Sequence, residues 1–161
     1  MRDSVMRRIL IVNQNWIGDV LFSTPAIRAL RKNFPDAHLA CLVPERCRPV
    51  LANNPHLNQV LTYDERISPF SLFKIFSLAA HLKRGRFDTA IFFQRSKTKA
   101  AVAALAGIAE RAGYARPLRE NFLTRVVPLP ARNVHKVDYF LFLLKALGLE
   151  TDGRQLDFFP A

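Results

Sequence analysis

The sequence predicts an α/β fold, an open Rossmann-like parallel sheet with helices on both faces. Short apolar runs rich in β-branched residues alternate along the chain with segments whose apolar residues recur at helical spacing. The apolar runs are typical of strands buried on both faces, and strand–helix alternation is typical of parallel sheets with right-handed crossovers. A length of 161 residues fits one domain.

The first half of the chain contains three predicted strands and two predicted helices. In order these are a strand at 7–13, a helix at 20–33, a strand at 37–43, a short helix at 45–53 and a strand at 57–63. Pro25 falls inside the first helical pattern, so it predicts a helix start or a kink there. Pro35 ends that helix, because proline cannot continue it.

The second half continues the alternation. Its predicted elements are a helix at 69–83, a strand at 87–93, a helix at 98–106, extended pieces at 111–115 and 124–129, and a helix at 135–147. Gly107 and Gly148 follow the last two helices and predict their ends, since glycine readily adopts the left-handed backbone of a helix C-terminus.

The helix at 69–83 has an unusually wide apolar face. Its members are Phe70, Phe73, Ile75, Phe76 and Leu78. A broad apolar face is typical of core packing, which is the main expectation. The alternative is a helix lying on a membrane surface.

The chain is strongly basic, with a formal net charge of +11. Residues 83–136 carry +9 of this charge, dispersed among apolar residues. The pattern fits either a solvated basic surface or a face that binds an anion, such as nucleic acid, a phosphorylated small molecule or an acidic membrane.

Composition excludes several classes of protein. Half of the residues are hydrophobic, which excludes a disordered tail, and two cysteines cannot form a disulfide scaffold. Cys41 and Cys47 form no Cys-x-x-Cys motif, so we expect packing or surface thiols in a reducing compartment. No targeting or spanning segment is recognised, and we expect a soluble, cytoplasmic chain.

Missing motifs narrow the chemistry of the site. Ligands of open parallel sheets bind beyond the carboxyl ends of the strands, which brings the loops 13–19, 64–69 and 94–99 to one edge. None of these loops carries a dinucleotide, Walker or nucleophile-elbow motif. The four histidines lack ligand spacing, so we expect no metal, and no nucleic-acid-binding motif is present.

Asp19 is the carboxylate at the top of the first strand, where a helix begins. It has two interpretations of equal weight on spacing alone. It either caps the helix, or it faces the cleft and acts as a general base toward a hydroxyl.

Several segments resemble the lipopolysaccharide heptosyltransferases of glycosyltransferase family 9. The most specific is residues 9–20 with residues 24–31, and the Trp-Ile-Gly-Asp form and residues 47–51 look most like the heptosyltransferase II branch. Weaker similarities follow in the family's order at residues 54–60, 87–94, 105–114 and 135–149. The likeness extends over essentially the whole chain.

The resemblance implies the N-terminal half of a GT-B glycosyltransferase. Residues 1–155 would be the acceptor-binding domain and residues 156–161 the start of the interdomain linker, with the C-terminal nucleotide-sugar domain absent. The implied reaction is inverting, metal-independent transfer of heptose from ADP-heptose to the lipopolysaccharide inner core. No cofactor is implied, and the chain alone is expected to be inactive.

The resemblance also implies site residues. Asp19 matches the family's Gly-Asp carboxylate and would be the catalytic base. Acceptor contacts are expected from Trp16, Gly18, Arg66, Lys97, Lys99 and Arg119. Their partner would be an anionic lipopolysaccharide core, reached by peripheral association with the cytoplasmic face of the inner membrane, and no specific nucleic acid is expected.

Two departures from the family concern the acceptor. Asn13 stands where many members have a basic residue, and Thr98 occupies another usually basic position, flanked by two lysines. Two competing hypotheses also stay open. One is a non-catalytic basic Rossmann-like module for phosphorylated ligands or nucleic acid. The other is a peripheral membrane domain that uses the helix at residues 70–76 and nearby basic residues.

Overall fold

The computed structural model describes residues 8–65, 71–131 and 134–160. The strands are β1 (Arg8–Val12), β2 (His38–Pro44), β3 (Gln59–Tyr63), β4 (Thr89–Phe92), β5 (Glu110–Tyr114) and β6 (Arg125–Val127). The α-helices are α1 (Ile17–Phe22), α2 (Thr24–Asn33), α3 (Arg48–Leu51), α4 (Leu72–Arg84), α5 (Lys97–Leu105) and α6 (Lys136–Ala146). Two single 3₁₀ turns lie at Glu45–Cys47 and Glu120–Phe122.

The six strands form one sheet in the order β3-β2-β1-β4-β5-β6, and every neighbouring pair is parallel. This confirms the predicted Rossmann-like sheet. The chain builds outward from β1 in one direction through β3, then returns to β4 beside β1 and builds the other way. The change of direction therefore falls between β1 and β4.

Helices cover both faces of the sheet, as the apolar strands predict. Alternate residues of β1 point to opposite cores: Ile9 and Ile11 pack with α1, α2, α3 and α6, while Leu10 and Val12 pack with α4 and α5. Both cysteines are buried free thiols within the first core, which confirms a packing role. Burial raises the pKa of Cys41 and of Cys47.

The helix predicted at residues 20–33 is two helices. Ser23 separates α1 from α2, and Pro25 lies in the first turn of α2. Proline has no amide hydrogen, so it is tolerated at a helix start but interrupts a continuous helix. The Leu21 carbonyl, which an amide at position 25 would serve in a continuous helix, accepts instead from the Thr24 hydroxyl at 2.8 Å.

The expectation that the whole apolar face of α4 packs in the core is wrong. Leu78, Ala79 and Leu82 are buried, but Phe73 is 83% exposed and Phe76 is 59% exposed. Only one side of α4 meets the sheet, so a wider apolar face must remain uncovered. Phe70 lies outside the described residues. Within those residues, no helix is both long and apolar enough to cross a bilayer.

The last described residues pack back against the start of the domain. Arg28 of α2 forms an ion pair with Asp152 at 3.2 Å, and it also pairs with Asp157. Its guanidinium donates to the Gln155 carbonyl at 3.1 Å. These contacts hold residues 150–157 against α2, and Phe159 lies beyond it, against His56.

Candidate functional site

A polar recess of about 490 Å³ lies at the carboxyl ends of β1 and β4. This is the point where the strand order changes direction, and such points are where open α/β sheets bind their ligands. Its wall is formed by the loops after β1, β4 and β5 and by the first turn of α5, and it consists of Gln14, Asn15, Trp16, Gln94, Arg95, Ser96, Lys97, Thr98 and Arg116.

Three cations and no acid line this recess. Arg95, Lys97 and Arg116 form no ion pair with any residue of the described ranges. The Arg116 guanidinium donates to the Arg95 carbonyl at 2.7 Å, which joins the loops after β4 and β5. Ser96 caps α5 by accepting from the Lys99 amide at 3.2 Å, so this helix start also faces the recess. Together these groups favour an anionic ligand.

Asp19 lies on the first turn of α1, directly after the loop that lines the recess. The N-cap residue of α1 is Trp16, so the interpretation of Asp19 as the helix cap is wrong. One carboxylate oxygen lies 3.5 Å from the ammonium of Lys136, at the start of α6. The side chain is 22% exposed, and among the described residues the other oxygen accepts no hydrogen bond, so it can receive a ligand hydroxyl.

Trp16 stands at the border of the recess with 68% of its surface exposed. The Arg46 guanidinium lies over its ring at 4.8 Å, donates to the Asn15 carbonyl at 2.7 Å and pairs with Glu65 at 2.8 Å. Arg46 thereby links the loops after β1, β2 and β3. A Cβ on Gly18 would meet nothing within 4 Å, so this glycine leaves open space beside Asp19.

A buried polar network forms the floor beneath these groups. The Gln94 amide donates to the Asn13 carbonyl at 2.5 Å and accepts from the Lys99 ammonium at 3.1 Å. Asn13 donates in turn to the Ser23 hydroxyl at 2.8 Å. Lys99 also lies 4.3 Å from the centre of the Tyr63 ring, and burial lowers the pKa of Lys99 to about 8. Lys99 is expected to contact the acceptor, but it does not line the recess. It lies beneath the recess and supports Gln94.

Arg119 is fully buried, contrary to the expectation that it faces the acceptor. Its guanidinium donates to the Tyr114 carbonyl at 2.5 Å and to the Gln94 carbonyl at 2.9 Å, and it lies over the Phe92 ring at 5.2 Å. Burial lowers the pKa of Arg119 to about 10. These bonds fix the ends of β4 and β5. Arg119 is buried because the carbonyls of Tyr114 and Gln94 require a donor there.

Trp16 and Lys97 line the recess, and Gly18 and Asp19 lie in the first turn of α1, directly after Trp16. Arg66 lies outside the described residues. Sequence patterns do not single out Arg95, Arg116 or Lys136. Arg95 lies within the predicted edge loop 94–99 and could be found there. Arg116 and Lys136 are brought to the site by the order of the strands and the packing of α6. Neither of these can be read from a pattern of neighbouring residues in the sequence.

The fold matches that of solved glycosyltransferases. The structure superposes on glycosyltransferase family 9 from Veillonella parvula with a TM-score of 0.82 at 21% identity, covering 96% of this chain and 47% of that one. It also superposes on Escherichia coli ADP-heptose lps heptosyltransferase II with a TM-score of 0.72 at 24% identity, covering 93% and 46%. The fold is thus about half of a GT-B glycosyltransferase.

Sequence similarity points to particular relatives. The chain is 28% identical to lipopolysaccharide heptosyltransferase 2 of Escherichia coli K12 over 119 residues, 74% of this chain and 34% of that protein. It is 26% identical to lipooligosaccharide heptosyltransferase 2 of Haemophilus ducreyi over 149 residues, 92% and 41%. These relatives confirm the resemblance to heptosyltransferases. The chain spans less than half the length of either relative, and no family model matches it.

Proposed function

We propose that this chain is the acceptor-binding half of an enzyme that transfers heptose from ADP-heptose to the lipopolysaccharide inner core. The observation that carries the proposal is the recess at the carboxyl ends of β1 and β4, lined by three cations and by Trp16, with Asp19 on the helical turn that follows Trp16. The relatives supply the sugar and the acceptor class, because their names specify heptose transfer to lipopolysaccharide or lipooligosaccharide.

Asp19 is proposed as the general base. Its free carboxylate oxygen accepts the proton of an acceptor hydroxyl while the acceptor oxygen attacks the anomeric carbon of the heptose. The bond from that carbon to the ADP oxygen breaks, and ADP leaves with the bonding electrons. Attack opposite the leaving group inverts the anomeric centre, and no metal takes part in this scheme. Lys136 holds the other carboxylate oxygen and so fixes the direction of the base.

The acceptor is proposed to enter the recess through its anionic groups. Arg95, Lys97 and Arg116 are positioned to bind a carboxylate or a phosphate, since none of them is neutralised by a described acid. The exposed Trp16 ring gives a flat surface against which a sugar can pack. Arg66 is proposed as a further contact from the sequence alone.

The rest of the reaction lies outside this chain. We propose that a C-terminal domain binds most of ADP-heptose, that residues 156–161 begin the linker to it, and that the chain alone has no turnover. The working location would be the cytoplasmic face of the inner membrane, with peripheral attachment, because the acceptor is itself a lipid.

Binding of the acceptor can be measured with the chain alone. We expect calorimetry to show binding of delipidated inner-core oligosaccharide, weakened about tenfold by Arg116→Gln or Lys97→Gln, the loss of one charge-assisted contact. Arg125→Gln is the control, because Arg125 lies on β6 and does not line the recess. Unchanged affinity in both site variants, or preference for duplex DNA over the oligosaccharide, would favour the basic binding module instead.

Catalysis requires this chain joined to a donor-binding domain. In that enzyme we expect Asp19→Asn to lower turnover by about 10²–10⁴-fold, the usual contribution of a general base, with ADP-heptose binding unchanged. Asp36→Asn is the matched control, since Asp36 is exposed in the turn after α2. Near-normal turnover of Asp19→Asn would remove Asp19 from the mechanism.

A further inference from the structure

The outer side of α4 is an exposed apolar surface. Leu72, Phe73 and Phe76 are 64%, 83% and 59% exposed. Their spacing places them on neighbouring positions of one helix face, opposite the buried residues Leu78 and Leu82. Several large apolar side chains exposed together mark an interaction site more often than scattered ones do.

Cations continue this face toward the C-terminal end of the helix. Lys83 lies two turns beyond Phe76, Arg84 lies three turns beyond Phe73, and Arg86 follows directly after the helix. All three are exposed, and none forms an ion pair with a residue that the structure describes. The face is therefore apolar at one end and positively charged at the other.

We propose that this face of α4 docks on a membrane surface that carries anionic lipids. Leu72, Phe73 and Phe76 insert at the boundary between headgroups and acyl chains, and the cations at 83, 84 and 86 contact lipid phosphates. Charge complementarity selects lipid as the occupant. Burying unpaired lysine and arginine in an apolar protein interface costs desolvation free energy, whereas a layer of lipid phosphates pairs with them.

The position of this surface relates it to the site. Phe73 shares a recess of about 480 Å³ with Tyr63 and Asp64, which lie at the carboxyl end of β3. That end belongs to the same edge of the sheet as the acceptor recess. Docking through the Phe73 end of α4 places the lipid beside this edge, where a lipid-anchored acceptor is presented. The cationic end of α4 lies at the opposite edge, where Arg8 of β1 donates to the Gly85 carbonyl at 2.6 Å. This consequence for the acceptor rests on the proposed function, whereas lipid binding itself does not.

Vesicle co-sedimentation tests the docking. The chain should bind vesicles of phosphatidylglycerol and phosphatidylcholine in equal parts more tightly than vesicles of phosphatidylcholine alone. Phe73→Ser with Phe76→Ser should weaken binding about a hundredfold, roughly tenfold per partly buried ring. Lys83→Gln with Arg84→Gln should remove the preference for the anionic vesicles. Phe142→Ser is the control, because Phe142 is an exposed ring on α6, away from this face.

Several outcomes would overturn the docking. It fails if the chain ignores both kinds of vesicle, or if Phe142→Ser weakens binding as much as the α4 variant. It also fails if the phenylalanines instead mediate self-association, seen as a dimer that the serine variant abolishes. Binding of the delipidated core oligosaccharide separates the two proposals. A chain that binds the oligosaccharide but no vesicle disproves only the docking, and one that binds vesicles but no oligosaccharide disproves only the acceptor site.

Discussion

Two arginines three residues apart have opposite environments. Arg116 lines the recess, while Arg119 is fully buried and donates to the carbonyls of Tyr114 and Gln94. Arg116 is therefore available to a ligand, and Arg119 holds the loops that present Arg116. Removing the buried donor would leave those carbonyls without a partner, which is usually more costly than losing an exposed charge.

Gly113 is required beside Arg119. A Cβ at this position would lie 2.7 Å from an Arg119 guanidinium nitrogen and 3.1 Å from the Phe92 Cβ. We expect Gly113→Ala to lower the free energy of unfolding by about 2–4 kcal/mol, measured by denaturant titration. Gly18→Ala is the control, because its Cβ meets nothing within 4 Å. If Gly113→Ala costs the same in an Arg119→Met background, the clash with Arg119 is not the cause.

Lys99 should make stability depend on pH. Burial lowers its pKa from 10.5 to about 8. Between these values the unfolded chain holds a proton that the native state has lost, so the free energy of unfolding rises with pH. Below pH 8 the native state must bury the charge.

We therefore expect Lys99→Met to stabilise the protein most at neutral pH. Denaturant titration measures the difference in the free energy of unfolding between Lys99→Met and the wild type. This difference should shrink by about 2 kcal/mol between about pH 7 and about pH 9.5. Lys145→Met, at an exposed lysine of α6, controls for the loss of a lysine as such. A difference that stays constant with pH would contradict the titration of Lys99.

At the scale of elements, the spacing of apolar residues predicts most of the helices and strands. An element that is buried on one or both faces needs apolar residues at regular intervals. The spacing cannot show that residues 20–33 form two helices, since α1 and α2 carry one continuous apolar pattern across Ser23. Nor can it predict that Phe73 and Phe76 remain exposed, because a wide apolar face has the same pattern whether or not another element covers it.

The segment 150–160 depends on α2 for its position, which gives a prediction at this scale. Arg28→Gln removes the ion pairs to Asp152 and Asp157. We expect amide hydrogen exchange in residues 150–160 to accelerate about tenfold or more, with a loss of about 1–2 kcal/mol in global stability. Arg125→Gln breaks an exposed pair with Glu110 and should leave exchange in this segment unchanged. Equal protection in both variants would show that the ion pairs do not hold the segment.

At the scale of the whole molecule, the net charge of +11 has more than one use. Some of the cations are buried supports such as Lys99 and Arg119, some line the recess at the ends of β1 and β4, and others continue the face of α4. The sequence shows that positive charge is concentrated in residues 83–136. Which of these lysines and arginines are buried, which line the recess and which lie on the face of α4 follows only from the three-dimensional arrangement.

Salt should therefore weaken acceptor binding through the recess. Raising ionic strength from about 0.05 M to about 0.5 M is expected to lower the affinity of the chain for core oligosaccharide by about tenfold, because mobile ions screen exposed cations. Calorimetry across this range should give a shallower dependence for Arg116→Gln than for the wild type or Arg125→Gln. Equal slopes for all three would place the anion elsewhere.

The sequence by itself determined the class of sheet, the alternation of its elements, the loop that carries Asp19 and the resemblance to heptosyltransferases. These properties are local, since periodic burial and short motifs are written in consecutive residues. Only the tertiary structure decided that β1 lies beside β4, that Arg95, Lys97 and Arg116 meet there, and that Lys136 reaches Asp19. Strand order and helix packing join residues far apart in the chain, and they alone determine which charges lose water and which stay free to bind.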